Sequence, residues 1–264
     1  MNILKWLGQL RTRYILKRHP ISRDVWKTVM RKADLLHDLN AVEEASLCDL
    51  ATLMLYKKAI SGAHQFQVTD EMAVTIAAQA ALPILELGLD YYSGWVEIIL
   101  YPGAFRVNHE GVDQNGLVSS ESRVLSGEAW QRGPIILSWD EIEQDLGSPH
   151  PGHNVVVHEF AHKLDMLNGR ANGMPPLHPS MEIEQWTQAL STAFEILQHK
   201  VAHQFPTRIN AYAATTPAEY FAVISEYFFT APDVLELHCA EVYQQLTKFY
   251  RQDPLSRRKQ ERVA

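Results

Sequence analysis

Cysteine is scarce in this chain. Cys48 and Cys239 stand far apart and neither belongs to a Cys-x-x-Cys pair, which argues against a disulfide scaffold and a four-cysteine metal site. Excess positive charge is also missing. With 24 Lys and Arg against 31 Asp and Glu, a net charge of −7, there is no broad electrostatic footprint for a polyanion, and direct nucleic-acid binding is not expected. No apolar run approaches the roughly 20 residues that cross a bilayer, so no transmembrane segment is predicted. The stretch from Met1 to Arg18 lacks an uninterrupted apolar core and a small-residue cleavage site, so it does not read as a secretory signal. Unpaired cysteines without such a signal predict a reducing, cytoplasmic setting. Internal repeats and long linkers are absent too. At 264 residues and 46% hydrophobic content the chain can bury one substantial core, and residues 1–264 read as a single domain.

What is present is concentrated in His158-Glu159-Phe160-Ala161-His162, inside an apolar stretch from Asn154 to Asp165 that has no Gly or Pro and reads as a helix. Residues four apart on a helix lie one turn above each other, so both imidazoles can grip one metal ion. Glu159 follows the first His and stands beside the open coordination position, where a carboxylate can take a proton from water on the metal. Zinc suits two imidazoles plus a carboxylate, and the chemistry such a pattern serves is hydrolysis of a peptide or amide bond. A chance match would fall in a loop or on a polar helix as often as not. This one is surrounded by Val155, Val156, Val157, Phe160, Ala161 and Leu164, as suits a buried helix with its polar residues facing a cleft.

Catalytic zinc needs a third protein ligand and an open fourth position. The metzincin continuation, a Gly and then a His at three-residue steps, is excluded because Asp165 and Asn168 stand there. The other common solution is a Glu on a later helix. Thr216-Pro217 makes a helix start, with Thr216 as N-cap and Pro217 at the first helical position. The helix that follows carries Glu219 and Glu226, seven residues apart and near one face, and spacing alone does not choose between them. Asp165 either accepts a hydrogen bond from a ligand imidazole or simply sits near the helix end, and Glu226 has a similar choice between backing a ligand and a salt bridge.

His-Glu-Phe-Ala-His-Lys-Leu-Asp at 158–165 resembles the active-site helix of the anthrax lethal factor protease domain, and Tyr212, seven residues before Glu219 in Ala-Glu-Tyr-Phe-Ala (218–222), resembles its second motif. In length and in both motifs the chain resembles the bacterial Mlc titration factor A family. That resemblance implies one zinc per chain held by His158, His162 and Glu219, with Glu159 as general base and Tyr212 as a donor to the oxyanion. It further implies aminopeptidase-type activity on peptides, and binding of the glucose repressor Mlc that would modulate sugar-uptake gene expression. The rival expectation is a non-catalytic, repressor-sequestering protein on the same scaffold.

Periodicity predicts helices over most of 22–62, the second running from Ala41 to Ile60, and another from Glu71 to Leu82 after the Thr69-Asp70 cap. Strand-like stretches follow at Trp95–Tyr101, Ala104–Asn108, Gly116–Trp130 and Pro134–Trp139, then a short helix over Asp140–Leu146. From 153 onward the pattern is helical apart from turns near 168–179 and 204–216, with residues 205–264 forming a C-terminal helical lobe. Pattern and motif together predict an α+β, zincin-like architecture with a small mixed sheet. In such enzymes an edge strand before the active-site helix pairs with extended substrate. Val118 to Trp130 is the candidate here, with Glu128, Ala129 and Trp130 as substrate-binding positions; Glu128 would bind an α-amine or serve as an exposed edge charge. His199 and His203 repeat the four-residue spacing, but Lys200 follows the first, and an exposed helix face is expected. Residues 1–20, bearing Lys5, Arg11, Arg13, Lys17 and Arg18 among apolar positions, either cap the domain as a basic helix or arm, or meet a membrane surface or partner.

Overall fold

The computed structural model describes residues 3–103, 105–112, 118–125, 127–129, 133–147 and 150–261, with side chains over 8–103, 133–147 and 150–258. Three helices lead: α1 (Ile3–Arg18), α2 (Arg23–Lys32) and α3 (Ala41–Lys57). The basic first segment rests on α3 through the buried Ile15. A reciprocal cap starts α3, where Asn40 Oδ1 accepts from the Val42 and Glu43 N–H groups and Glu43 Oε2 accepts from the Asn40 N–H.

Helix α3 stops at Lys57, short of the expected Ile60, and Ala59–Gly62 forms strand β1. The cause is tertiary. Lys58 is extended and buried, its ammonium donates to the carbonyls of Tyr92 and Trp95, and it lies 3.9 Å from the Trp95 ring. That anchor turns the chain into parallel register with β2 (Glu97–Tyr101), Ile60 opposite Ile98. A partner distant in sequence has overridden local helical propensity. Between them runs α4 (Asp70–Ala81), whose cap Thr69 accepts from the Met72 N–H at 3.2 Å and which is buried from Val74 to its end.

Further strands are β3 (Phe105–Val112), β4 (Val118–Leu125), β5 (Gly127–Ala129) and β6 (Ile135–Ser138). The main sheet has the order β1-β2-β6-β5; β1, β2 and β6 are parallel and β5 is antiparallel to β6. The single strand expected over 116–130 is therefore divided. Residues 118–125 pair with β3 as a separate antiparallel ribbon, and only Gly127–Ala129 reaches the sheet edge. The polar run Ser119-Ser120-Glu121-Ser122-Arg123 has no apolar face to give a buried sheet, whereas the inner strands β2 and β6 are rich in Ile and Leu.

The rest is helical: α5 (Trp139–Gly147), α6 (Val155–Asp165), α7 (Ile183–Ala202), α8 (Pro217–Thr230), α9 (Pro232–His238), α10 (Ala240–Tyr250) and α11 (Pro254–Glu261). Helix α6 threads the centre, touching β5, β6, α4 and α8. Phe160 pins it edge-on against Tyr92 and Trp95, at ring separations of 4.9 and 5.7 Å. On the C-terminal side Trp186, Phe221 and Phe249 form a mutual cluster with separations of 5.6–6.0 Å, which holds α8 against α7 and α10. The main sheet and the α6–α8 pair thus share one apolar core.

Candidate metal centre

Asn154 begins the site. Its Oδ1 caps α6 by accepting from the Val157 N–H at 2.8 Å, and the residue is 3% exposed. Asp145 Oδ2 accepts from the Val155 N–H at 2.9 Å, placing a carboxylate at the positive end of the same helix. The lead-in is clamped to α8: the Gly152 N–H donates to Thr230 Oγ1 at 2.9 Å, and the Asn154 N–H donates to Glu226 Oε2 at 2.6 Å. These bonds fix how α6 and α8 are rotated against each other.

That rotation brings His158 and His162 of α6 against Glu219 in the first turn of α8, where Thr216 Oγ1 accepts from the Glu219 N–H at 3.1 Å. The Nε2 atoms of the two histidines are 3.2 Å apart, and Glu219 Oε2 lies 3.1 and 3.4 Å from them. A tetrahedral ion with bonds of about 2.0–2.1 Å separates its ligand atoms by about 3.3 Å. The triangle therefore fits a zinc-sized cation, and among the described residues it is the one cluster of His, Cys and acidic groups with such geometry. Glu159, one position after His158, is 4% exposed.

Glu226 lies on the other side of the same imidazole. Its Oε1 is 2.8 Å from His158 Nδ1, an arrangement in which Nδ1–H donates and the Nε2 lone pair is left for the metal point. Asp165 does something else: its Oδ2 accepts from the Gly173 N–H at 2.7 Å and holds that loop. Among the described residues, neither Asp165 Oδ1 nor the buried His162 Nδ1 has a hydrogen-bond partner. Tyr212, in a 3-10 turn over Ala211–Ala214, is half exposed at the rim with its ring 6.2 Å from that of His158.

Charge follows this geometry. Burial by itself would push the His158 imidazolium down, but Glu226 and Glu219 outweigh it and hold the pKa well above the ordinary value. Burial by itself would push the Glu219 carboxyl up, but bonds from His158 and His162 hold it well below the usual carboxylate range. An imidazole ligates a metal in its neutral form, so a cation bound here would displace the proton that these carboxylates favour on His158.

Other expected residues fall elsewhere. Glu128 and Ala129 lie in β5, beside α6, with Glu128 opposite Ile136; their side chains, and Trp130 altogether, lie outside the described residues. His199 and His203 stack on each other at 4.2 Å near the end of α7, and His203 Nδ1 bonds the His199 carbonyl, a surface pair. His153, which is not among the expected site residues, bonds Asp145 at 2.6 Å, and that bond pushes its pKa up to about 9. Sequence reasoning missed Asn154 as the helix cap, although an Asn directly before an apolar helical run is a cap signal. Gln79, which accepts from Asn154 Nδ2 at 2.7 Å, carries no signal in the sequence.

Two imidazoles and a carboxylate around one point form a donor set that could hold a metal ion, and a buried glutamate follows the first imidazole on α6. The chain belongs to the glucose-regulated metallo-peptidase M90 family, whose profile matches residues 7–251. It is 42% identical to Mlc titration factor A of Serratia proteamaculans over 226 residues, 84% of this chain and 85% of that one. It is 40% identical to Mlc titration factor A of Escherichia fergusonii and 41% identical to that of Salmonella typhimurium, each over 84% of both chains. Membership in this family implies a metal ion, and His158, His162 and Glu219 are the residues that could hold it.

Proposed function

We propose that the chain is a zinc metallopeptidase of zincin type, with His158, His162 and Glu219 as ligands, Glu159 as general base and Tyr212 as a hydrogen-bond donor to the developing oxyanion. The convergence of three ligand atoms within 3.1–3.4 Å of one another carries this reading. When bound, zinc supplies Lewis acidity toward a carbonyl oxygen and brings the pKa of water down to about 7. Glu159, buried beside the ligands, accepts the proton of the attacking water and returns it to the leaving amine. Tyr212, half exposed on a turn anchored by Asn210 Oδ1 accepting from its N–H at 3.0 Å, has its ring 6.2 Å from that of His158, which supports a role for its hydroxyl as the donor to a substrate oxygen. Glu226 keeps His158 in the tautomer that leaves Nε2 free.

The substrate is a peptide in extended form. Strand β5 lies beside α6 and ends the main sheet among the described residues, and on this reading an extended substrate would add to it as a further strand. Aminopeptidase-type trimming is the expected subclass, with Glu128 on that strand receiving the α-amine. The name of the relatives supports a second role, capture of the repressor Mlc, exercised by a surface that need not be the cleft. The alternative is that capture is the whole function, exercised by a non-catalytic protein on the same scaffold.

Metal analysis of the purified protein, combined with hydrolysis of free-amine and N-blocked peptides, tests these readings together. About one zinc per chain and cleavage of free-amine peptides only is the expected result. Equal cleavage of blocked peptides would make it an endopeptidase. Full zinc without any cleavage would leave the non-catalytic alternative.

A further inference from the structure

We infer that Gln79, on α4, is a positioning residue for the metal centre, acting through Asn154 and Glu226 on the ring of His158. This rests on the metal-site reading above and extends it to a helix that contributes no ligand.

Gln79 is fully buried in the alanine-rich second half of α4, where an amide is costly unless both its ends are bonded. Its Nε2 approaches the Thr75 carbonyl of its own helix at 3.4 Å, which aims Oε1 outward to accept from Asn154 Nδ2 at 2.7 Å. Asn154 is thereby committed at three atoms: Nδ2 to Gln79, Oδ1 to the Val157 N–H, and its own N–H to Glu226 Oε2. Glu226 is then committed at both oxygens, Oε2 to Asn154 and Oε1 to His158 Nδ1. A carboxylate held at both oxygens cannot swing, and the imidazole it holds keeps Nε2 on the metal point. The two amides do not titrate, so the line transmits orientation and not protons. Only an amide serves at 154: Asp can cap but not donate, and Ser can cap but not reach.

The test is a double-mutant cycle on metal affinity in the full chain. Zinc affinity is measured by competition with a chromophoric chelator for wild type, Gln79→Met, Glu226→Gln and the double variant, and the visible spectrum of the Co2+ form is recorded for each. Gln79→Met should weaken zinc binding by about tenfold, the lower end of the effect of such outer partners, and alter the Co2+ spectrum. In the Glu226→Gln background the same change should have almost no further effect. An equal loss in both backgrounds, or none in either, overturns the inference and leaves Gln79 a packing residue. Should Gln79→Met fail to fold, Asn154→Ser, which keeps the cap and removes only the donor, replaces it in the cycle. His158→Ala and Glu219→Gln are the controls. If they retain wild-type zinc affinity the metal-site reading itself falls; if they lose it while the cycle shows no coupling, only the role of Gln79 falls.

Discussion

Glu226 Oε1 meets His158 Nδ1 at 2.8 Å, while Glu219, seven residues earlier on the same helix, meets the opposite nitrogen of the same ring at 3.1 Å. Seven helical residues rise about 10.5 Å, so two glutamates two turns apart can lean in from either end and hold one imidazole between them. Their equivalence in spacing is thus a real feature of the site. The difference lies in what else each one touches: Glu219 also lies 3.4 Å from His162 Nε2, whereas the second oxygen of Glu226 is taken by the Asn154 N–H.

Substitution should separate the two glutamates. Glu219→Gln is expected to abolish tight zinc retention, as is His162→Ala, because on the proposed reading each removes a ligand from a three-ligand site. Glu226→Gln should retain zinc with affinity lowered about 10–100-fold, the usual effect of removing a partner behind a ligand histidine. Elemental analysis after dialysis against a weak chelator decides it; full zinc in Glu219→Gln together with none in Glu226→Gln would exchange their roles.

Glu159→Gln should keep the metal and lose turnover by about 10²–10⁴-fold, since the amide preserves shape but cannot accept a proton. Peptide hydrolysis by the zinc-loaded variant at near wild-type rate would take Glu159 out of the base role.

The legible part of this molecule was the part encoded in short spans. The α6 motif, the Thr216-Pro217 start of α8 and the Thr69 cap of α4 each signal themselves within a few residues, and the structure has helices there. Three features were not legible, each because its partner is far away in sequence. Residues 59–62 become a strand because Lys58 is captured by carbonyls at Tyr92 and Trp95. The run 118–129 divides because β3 takes its polar half and β6 takes its end. Gln79 resembles any helical glutamine until Asn154 is placed against it.

Gly152 should not tolerate a side chain. Its φ of +79° is one that L-residues rarely adopt, and a Cβ there would come within 2.1 Å of the Tyr227 ring. The ring is tethered through its hydroxyl, which donates to the Arg208 carbonyl at 3.0 Å. Left-handed strain and overpacking together predict that Gly152→Ala destabilises the fold by about 2–4 kcal/mol, measured by denaturant unfolding. A loss below about 0.5 kcal/mol would mean that the 150–154 loop is free to move off α8.

His153 gives the fold a pH dependence of known sign. Its bond to Asp145 raises its folded pKa to about 9 from an ordinary 6.5, so the stabilisation is fully present below about pH 6.5 and disappears as pH rises toward 9. The side chain is 43% exposed, so solvent screens the interaction and the effect should be modest. Thermal melts of wild type and His153→Gln should differ at pH 6 and converge by about pH 9.5; a constant gap would show that His153 acts by packing alone.

Capture of the repressor and catalysis should be separable. Catalysis requires a proton acceptor beside the metal ligands, whereas recognition of a folded protein requires a surface of roughly 800 Å² on each partner, most of it remote from any one carboxylate. Glu159 is buried, and replacing it with Gln changes one atom type without changing shape or the exposed surface. Zinc-loaded Glu159→Gln protein should therefore still retain Mlc in a pull-down at wild-type levels while failing to cleave peptides. Loss of retention in a folded, zinc-loaded variant would place the repressor in the cleft itself, as substrate or inhibitor. A titration of Mlc against peptide hydrolysis by the wild-type chain separates those two: an inhibitor lowers the rate and stays intact, and a substrate is itself cleaved.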